Sequence, residues 1–169
     1  MGLPSTTSLT TGGRDLDNYL LPVVRRLGQE RFFAVFGQKV HGNSSTLAIE
    51  RIRELTDDSW VPQIKVRTTS SAQSPAWKHE VAAACVAAAP QEHLAGALTL
   101  EIHYRVSSGR NWAQLWKPTI DALGAVLGVP NPMRPFAPKD DRVVSLALSR
   151  SVDEMLGWDI EVLVHWSHG

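Results

Sequence analysis

The chain has 169 residues, 43% of them hydrophobic, with seventeen basic and seventeen acidic side chains and a formal net charge of zero. That size suits one domain, or two small ones sharing a core. The charge balance argues against a strongly basic nucleic-acid-binding surface but leaves room for a local patch. A single cysteine, Cys85, rules out an internal disulfide and points to a reducing cytoplasm. The polar start, residues 1–11, has no apolar centre and does not read as a signal peptide. No apolar run approaches the roughly 18 residues of a membrane span.

In chain order, residues 1–11 are Ser/Thr-rich and weakly patterned, a poor strand or a frayed terminus. Gly12 and Gly13 mark a turn. Leu20, Val23, Val24 and Leu27 follow at the spacing of one helix face, with Asp15 or Asp17 suited to the N-cap and Gly28 to the stop. Pro22 then belongs to the first turn or kinks the helix. Residues 31–37 read as an aromatic connection and 38–45 as a polar loop. Residues 46–52 and 61–68 alternate as strands, separated by a turn at Asp57 to Ser59. Residues 70–76, rich in Ser, Ala, Gln and Pro, read as a linker.

In the second half, 77–89 is helical by propensity, with Cys85 as a small buried residue. Residues 97–106 alternate cleanly: Leu98, Leu100, Ile102 and Tyr104 face in, while Thr99, Glu101, His103 and Arg105 face out. Residues 112–127 read as one amphipathic helix. The Pro-rich stretch 129–138 is a long loop, and 143–148 and 158–166 are the last strands.

The chain also repeats itself. The run Leu20 to Gly28 matches Trp116 to Gly124, and Ile64 to Val66 matches Ile160 to Val162, at a constant offset of 96 residues. The same offset sets Gly13 and Arg14 on Gly109 and Arg110, while Leu47 and Ala48 fall on Leu146 and Ala147 at an offset of 99. A duplicated chain builds within itself the twofold interface that a homodimer builds between chains. Copy one spans 1–69 and copy two 77–169. Copy one lacks a counterpart of the helix and strand over 77–106: either it lost them, or the chain starts inside a longer protein.

The most concentrated polar chemistry is Gly12-Gly13-Arg14-Asp15-Leu16-Asp17-Asn18. Two carboxylates two residues apart either begin a helix or hold a metal ion. No Gly-rich phosphate loop, Cys/His metal cluster or Ser/His/Asp arrangement is visible.

These residues resemble the RusA-type Holliday junction resolvases. In that family a leading helix and strand precede Arg-Asp-x-Asp-Asn, a Lys-x-x-x-Asp-Ala-Leu helix, an Asp-Asp loop and closing strands. Copy two is similar over 77–166 through Lys117, Asp121-Ala122-Leu123 and Asp140-Asp141-Arg142-Val143-Val144. Its first acidic motif has become Arg110-Asn111-Trp112-Ala113-Gln114, without carboxylates. Copy one keeps that motif in full as Arg14 to Asn18 but has Gln38 to Gly42 at the second motif, and Leu21 in place of the lysine.

The resemblance implies an α+β fold: an internal duplication of a RusA-like unit of β-sheet plus helices, forming a pseudo-dimer with an incomplete first copy. It implies DNA, branched or junction-shaped, as partner, and recombination or repair in the cytoplasm as setting. A homodimer would cover a sheet edge left open in copy one. The family's activity is magnesium-dependent phosphodiester cleavage, for which Mg2+ takes one or two carboxylates with waters and phosphate oxygens. By that analogy Asp15, Asp17, Asp140, Asp141 and Lys117 are the catalytic candidates. Asp15, Asp17 and Asp141 are the metal candidates, and Arg14 and Asn18 support them. Asp15 and Asp17, if extended, point to one side of a strand, and Lys117 would hold a phosphate as a point charge.

Three readings stay open. The two half-sets meet across the pseudo-dimer in a composite nuclease site. Or the fold is degenerate and binds nucleic acid or a protein without cutting, with Trp112 plugging the former site. Or Asp15 and Asp17 bind a metal weakly on their own. The bland alternatives are helix-capping aspartates, a solvated Asp140-Asp141 turn and a surface Lys117.

Overall fold

In a computed structural model the chain is described over residues 1–50, 61–89 and 94–169. A five-stranded mixed sheet has the order β2-β6-β5-β7-β4, from strands β2 (Ala34–Gln38), β4 (Ile64–Thr68), β5 (Leu98–Val106), β6 (Val143–Val152) and β7 (Ile160–His168). Among the described strands of this sheet β5 and β6 run parallel and the other pairings are antiparallel. A small parallel pair, β1 (Gly2–Leu3) and β3 (Val40–His41), lies beside it. The fold is thus α+β.

The alternating run in β5 becomes a strict alternation of buried and half-buried residues, as its pattern predicts. In register, Ile64, Val164, Ile102, Leu148 and Val35 form one row across all five strands. This apolar face joins one core with Val24 of α1 (Leu16–Leu27), Trp77, Val81 and Cys85 of α2 (Pro75–Ala88), and Ile120 of α3 (Trp116–Asp121). Both halves of the chain contribute to that core. Burying it supplies most of the driving force for folding.

The structure departs from the sequence reading at several points. The aromatic connection contains β2, an edge strand pairing with β6. Gly37 lets α1 cross it closely: a Cβ there would lie 3.0 Å from Leu20 Cδ1. Residues 46–50 form no strand; the remainder of that expected strand and the turn at Asp57 to Ser59 lie outside the described residues. The last two residues of the expected linker already belong to α2, whose N-cap Ser74 accepts from Ala76 N–H at 3.2 Å.

The single helix expected over 112–127 breaks into a 3-10 turn (Trp112–Leu115), α3 and α4 (Gly124–Leu127). Pro118 fits the first turn of α3, where its missing N–H costs nothing. Pro22 stands inside α1. His103, expected to be exposed, is half-buried: its ring nitrogens lie 2.8 and 2.9 Å from Ser149 Oγ and Ser151 Oγ.

Residues 29–33 are tied to the core by two side chains from the second half. Trp112 Nε1 donates to Gln29 O at 2.9 Å, and buried Arg150 donates to Phe32 O at 3.0 Å and Glu30 O at 2.7 Å. Trp112 stacks edge-on against Trp116 with ring centres 5.0 Å apart. Replacing Arg150 by Met keeps the volume but leaves those two carbonyls without donors. Urea unfolding of Arg150→Met is expected to show a loss of about 2–4 kcal/mol, with Arg150→Lys losing less.

Candidate functional site

Gly12 and Gly13, at φ +92° and +65°, form the turn that delivers the chain to α1. Asp15 then stands at the N-cap with extended backbone, but its side chain makes no capping hydrogen bond. Instead Asp15 Oδ2 accepts from Asn18 Nδ2 at 2.9 Å. Asp17 is not extended; it belongs to the first turn of α1 and is 2% exposed. The two aspartates therefore do not lie side by side along a strand, although the Asp17 charge reaches the Asp15 carboxyl.

Asp140 and Asp141 open a 3-10 turn, Asp140–Arg142, just ahead of β6. Arg142 pins that turn by donating to Gly96 O at 2.9 Å, to Leu127 O at 2.8 Å and to Leu94 O. Because β2 lies antiparallel to β6, the end of β2 arrives at the same place, and Lys39 N–H donates to Val144 O at 2.8 Å. Buried Lys39 extends its ammonium to Asp141 O at 2.6 Å.

The two acidic motifs meet. Gly13 N–H lies 3.4 Å from Asp141 Oδ2. Lys117 Nζ, from α3, lies 2.5 Å from Asp140 Oδ2, 3.4 Å from Asp121 Oδ1 and 3.9 Å from Asp17 Oδ2. Asp121 also pairs with Lys78 of α2 at 2.7 Å. Every candidate from the sequence thus falls in this neighbourhood; Arg14 turns back to donate to Thr11 O at 3.0 Å.

Lys39, Asp121 and Lys78 complete the cluster. Asp121 had a signal, since it belongs to the quoted Lys117 to Leu123 motif. Lys39 lies in the stretch aligned with the second motif, but nothing marked it for burial, because that stretch reads as a polar loop.

The electrostatics are those of crowded like charges. Burial is the main cause that pushes the Asp15 carboxyl up to about 6; Asp140, Asp17 and Asp141 add to it and Lys117 opposes it. Burial likewise raises Asp17. Burial would lower Lys117, but its hydrogen bond to Asp140 and the charges of Asp17, Asp140 and Asp121 outweigh it and raise it. Burial lowers Lys39. Five carboxylates (Asp15, Asp17, Asp121, Asp140, Asp141) face three ammonium groups (Lys39, Lys78, Lys117), a local excess of negative charge.

Asp15 Oδ1 and Asp17 Oδ2 are buried without a hydrogen-bond partner among the described residues. Asp17 Oδ2 has the Lys117 ammonium at 3.9 Å but no hydrogen bond, and Asp15 Oδ1 has neither, so both leave room for a further cation or ordered water. Among the described residues, no group of three or more His, Cys, Asp or Glu side chains has the spacing to hold a metal ion. A magnesium ion bound through one or two carboxylates and several waters does not need such a group, and the unbonded oxygens of Asp15 and Asp17 are of the ligand type it takes.

A carboxyl held near 6 in the folded chain, against an ordinary 3.8, favours folding below about pH 3.8. That contribution fades as pH rises through 6. Asp15→Asn removes the charge and keeps an acceptor for Asn18. In metal-free buffer it should melt about 2–4 °C above the wild type at pH 8, with the gap closing toward pH 4; paired thermal melts check it.

No protein family, no curated protein and no solved structure matches this chain.

Proposed function

We propose that the chain is a magnesium-dependent endodeoxyribonuclease acting on branched DNA, with one composite site assembled from two half-motifs. The carrying observation is that Lys117 lies within 4 Å of both Asp17 and Asp140, which stand more than a hundred residues apart in sequence. Complementary loss of the acidic motifs is what such a site requires, and it agrees with the resemblance to RusA-type resolvases. Duplication has one further support: Val66 stands directly opposite Val162, its equivalent at the 96-residue offset.

In this reading Asp15 and Asp17 hold the ion, and Asn18 fixes the Asp15 carboxylate. Bound Mg2+ supplies activation of water and stabilisation of the departing oxygen. Asp140 and Asp121 keep Lys117 charged and aimed at a scissile phosphate. Lys39 positions Asp141 through its backbone carbonyl. Hydrolysis consumes one water and divides a phosphodiester into a phosphomonoester and a free hydroxyl. The setting is cytoplasmic DNA recombination or repair, with a homodimer covering an outer strand of the sheet.

The test is cleavage of a four-way DNA junction with Mg2+. The wild type should cut, and Asp17→Asn and Lys117→Met should each lose at least about a hundredfold in rate. Millimolar Mg2+ should raise the melting temperature of the wild type and not that of Asp17→Asn. A junction bound but left intact by the wild type would sink the cleavage reading and leave a binding protein.

A further inference from the structure

Beyond the carboxylates, Lys117 also lines a second feature. A cavity of about 390 Å3 beside α3 is lined by Arg25, Lys78, Lys117 and Asp121 together with Gln73 and Gln114. Gln73 and Gln114 also line the next cavity, of about 430 Å3, bounded by Arg110, Asn111 and Trp158. The two cavities adjoin at Gln73 and Gln114, one beside Lys117 and Asp121 and the other beside a tryptophan.

Trp158 is 80% exposed in the turn before β7. The Arg110 guanidinium sits 5.5 Å from its ring centre and also donates to Trp158 O. That fixes the indole without covering it. Arg110 Nε is buried with no partner among the described residues. Glu154, the acidic residue lining this cavity, is engaged by Ser108 N–H at 3.1 Å.

From these we infer that the Arg110–Trp158 cavity receives a single unstacked nucleobase of the DNA whose phosphate lies at Lys117. The inference rests on the reading of DNA as substrate. A base entering the cavity meets indole and guanidinium planes as stacking surfaces. The amides of Gln73, Asn111 and Gln114 present donors and acceptors along its edge. A fully paired duplex has no free base to offer. At a branch point the stack is interrupted, so drawing a base out of its pair costs less there, and the cavity selects branched over linear DNA through that difference in cost.

The experiment measures anisotropy of a labelled four-way junction, and of a linear duplex of matched sequence, in metal-free buffer. Trp158→Ala should weaken junction binding about tenfold and leave duplex binding within about twofold. Trp158→Phe, which keeps an aromatic face, should recover most of the loss. The inference is overturned if Trp158→Ala binds the junction like the wild type, if it weakens junction and duplex equally, or if the wild type binds no DNA. A wild type that cleaves in Mg2+ while Trp158→Ala binds and cleaves equally well overturns the base pocket alone. Junction binding that depends on Trp158 without any cleavage supports the pocket and overturns only the hydrolysis.

Discussion

The Lys117 ammonium is the charge on which the cluster depends. It is the single cation that reaches Asp17, Asp121 and Asp140 together among the described residues. Half-buried carboxylates repel one another and resent desolvation, and only a counter-charge at this distance offsets both effects. Lys117 supplies that charge from α3, a helix outside both acidic motifs. The two motifs are therefore joined through a third element, and their meeting is a property of the whole fold.

The sheet makes the meeting possible. β6 lies between β2 and β5, so the turn that opens β6 is flanked by the end of β2 on one side and the start of β5 on the other. Lys39 extends from the first, and Arg142 anchors to the loop before the second at Leu94 and Gly96. α1 packs on β2 and β6 and brings its N-terminus to the same end, where Gly13 meets Asp141. A side-chain cap at Asp15 would have consumed the carboxylate. Its pairing with Asn18 leaves one oxygen unused and turned to the cluster.

What the sequence made legible follows from how local each signal is. β5 was plain because its alternation spans nine residues and depends on nothing else. β2 was hidden because an edge strand carrying Phe36 outward and Gly37 beneath a helix shows no clean period. The broken helix over 112–127 was missed because its apolar stripe continues across the break at residues 122 and 123. The individual site residues were readable as motifs. Their assembly was not, since neither half-motif encodes the distance to the other. Lys39 illustrates the limit: its burial is created by tertiary packing, and one lysine beside Gln38 looks like any solvated lysine.

Zero net charge at first argues against a polyanionic partner, but its distribution changes that argument. Five of the seventeen acidic residues belong to the cluster, against three lysines and the nearby Arg14. The remainder of the chain is thus slightly basic, and a divalent cation at Asp15 and Asp17 would balance the cluster itself. On the proposed reading, such an ion would weaken the opposition that the carboxylates present to Arg25, Lys78 and Arg110, which line the two neighbouring cavities. These side chains would then attract a phosphate backbone most strongly once the proposed ion is bound, because the ion cancels the repulsion beside them. On the proposed reading, metal and polyanion would favour each other's binding, a reciprocal coupling between two neighbouring sites rather than a property of either alone.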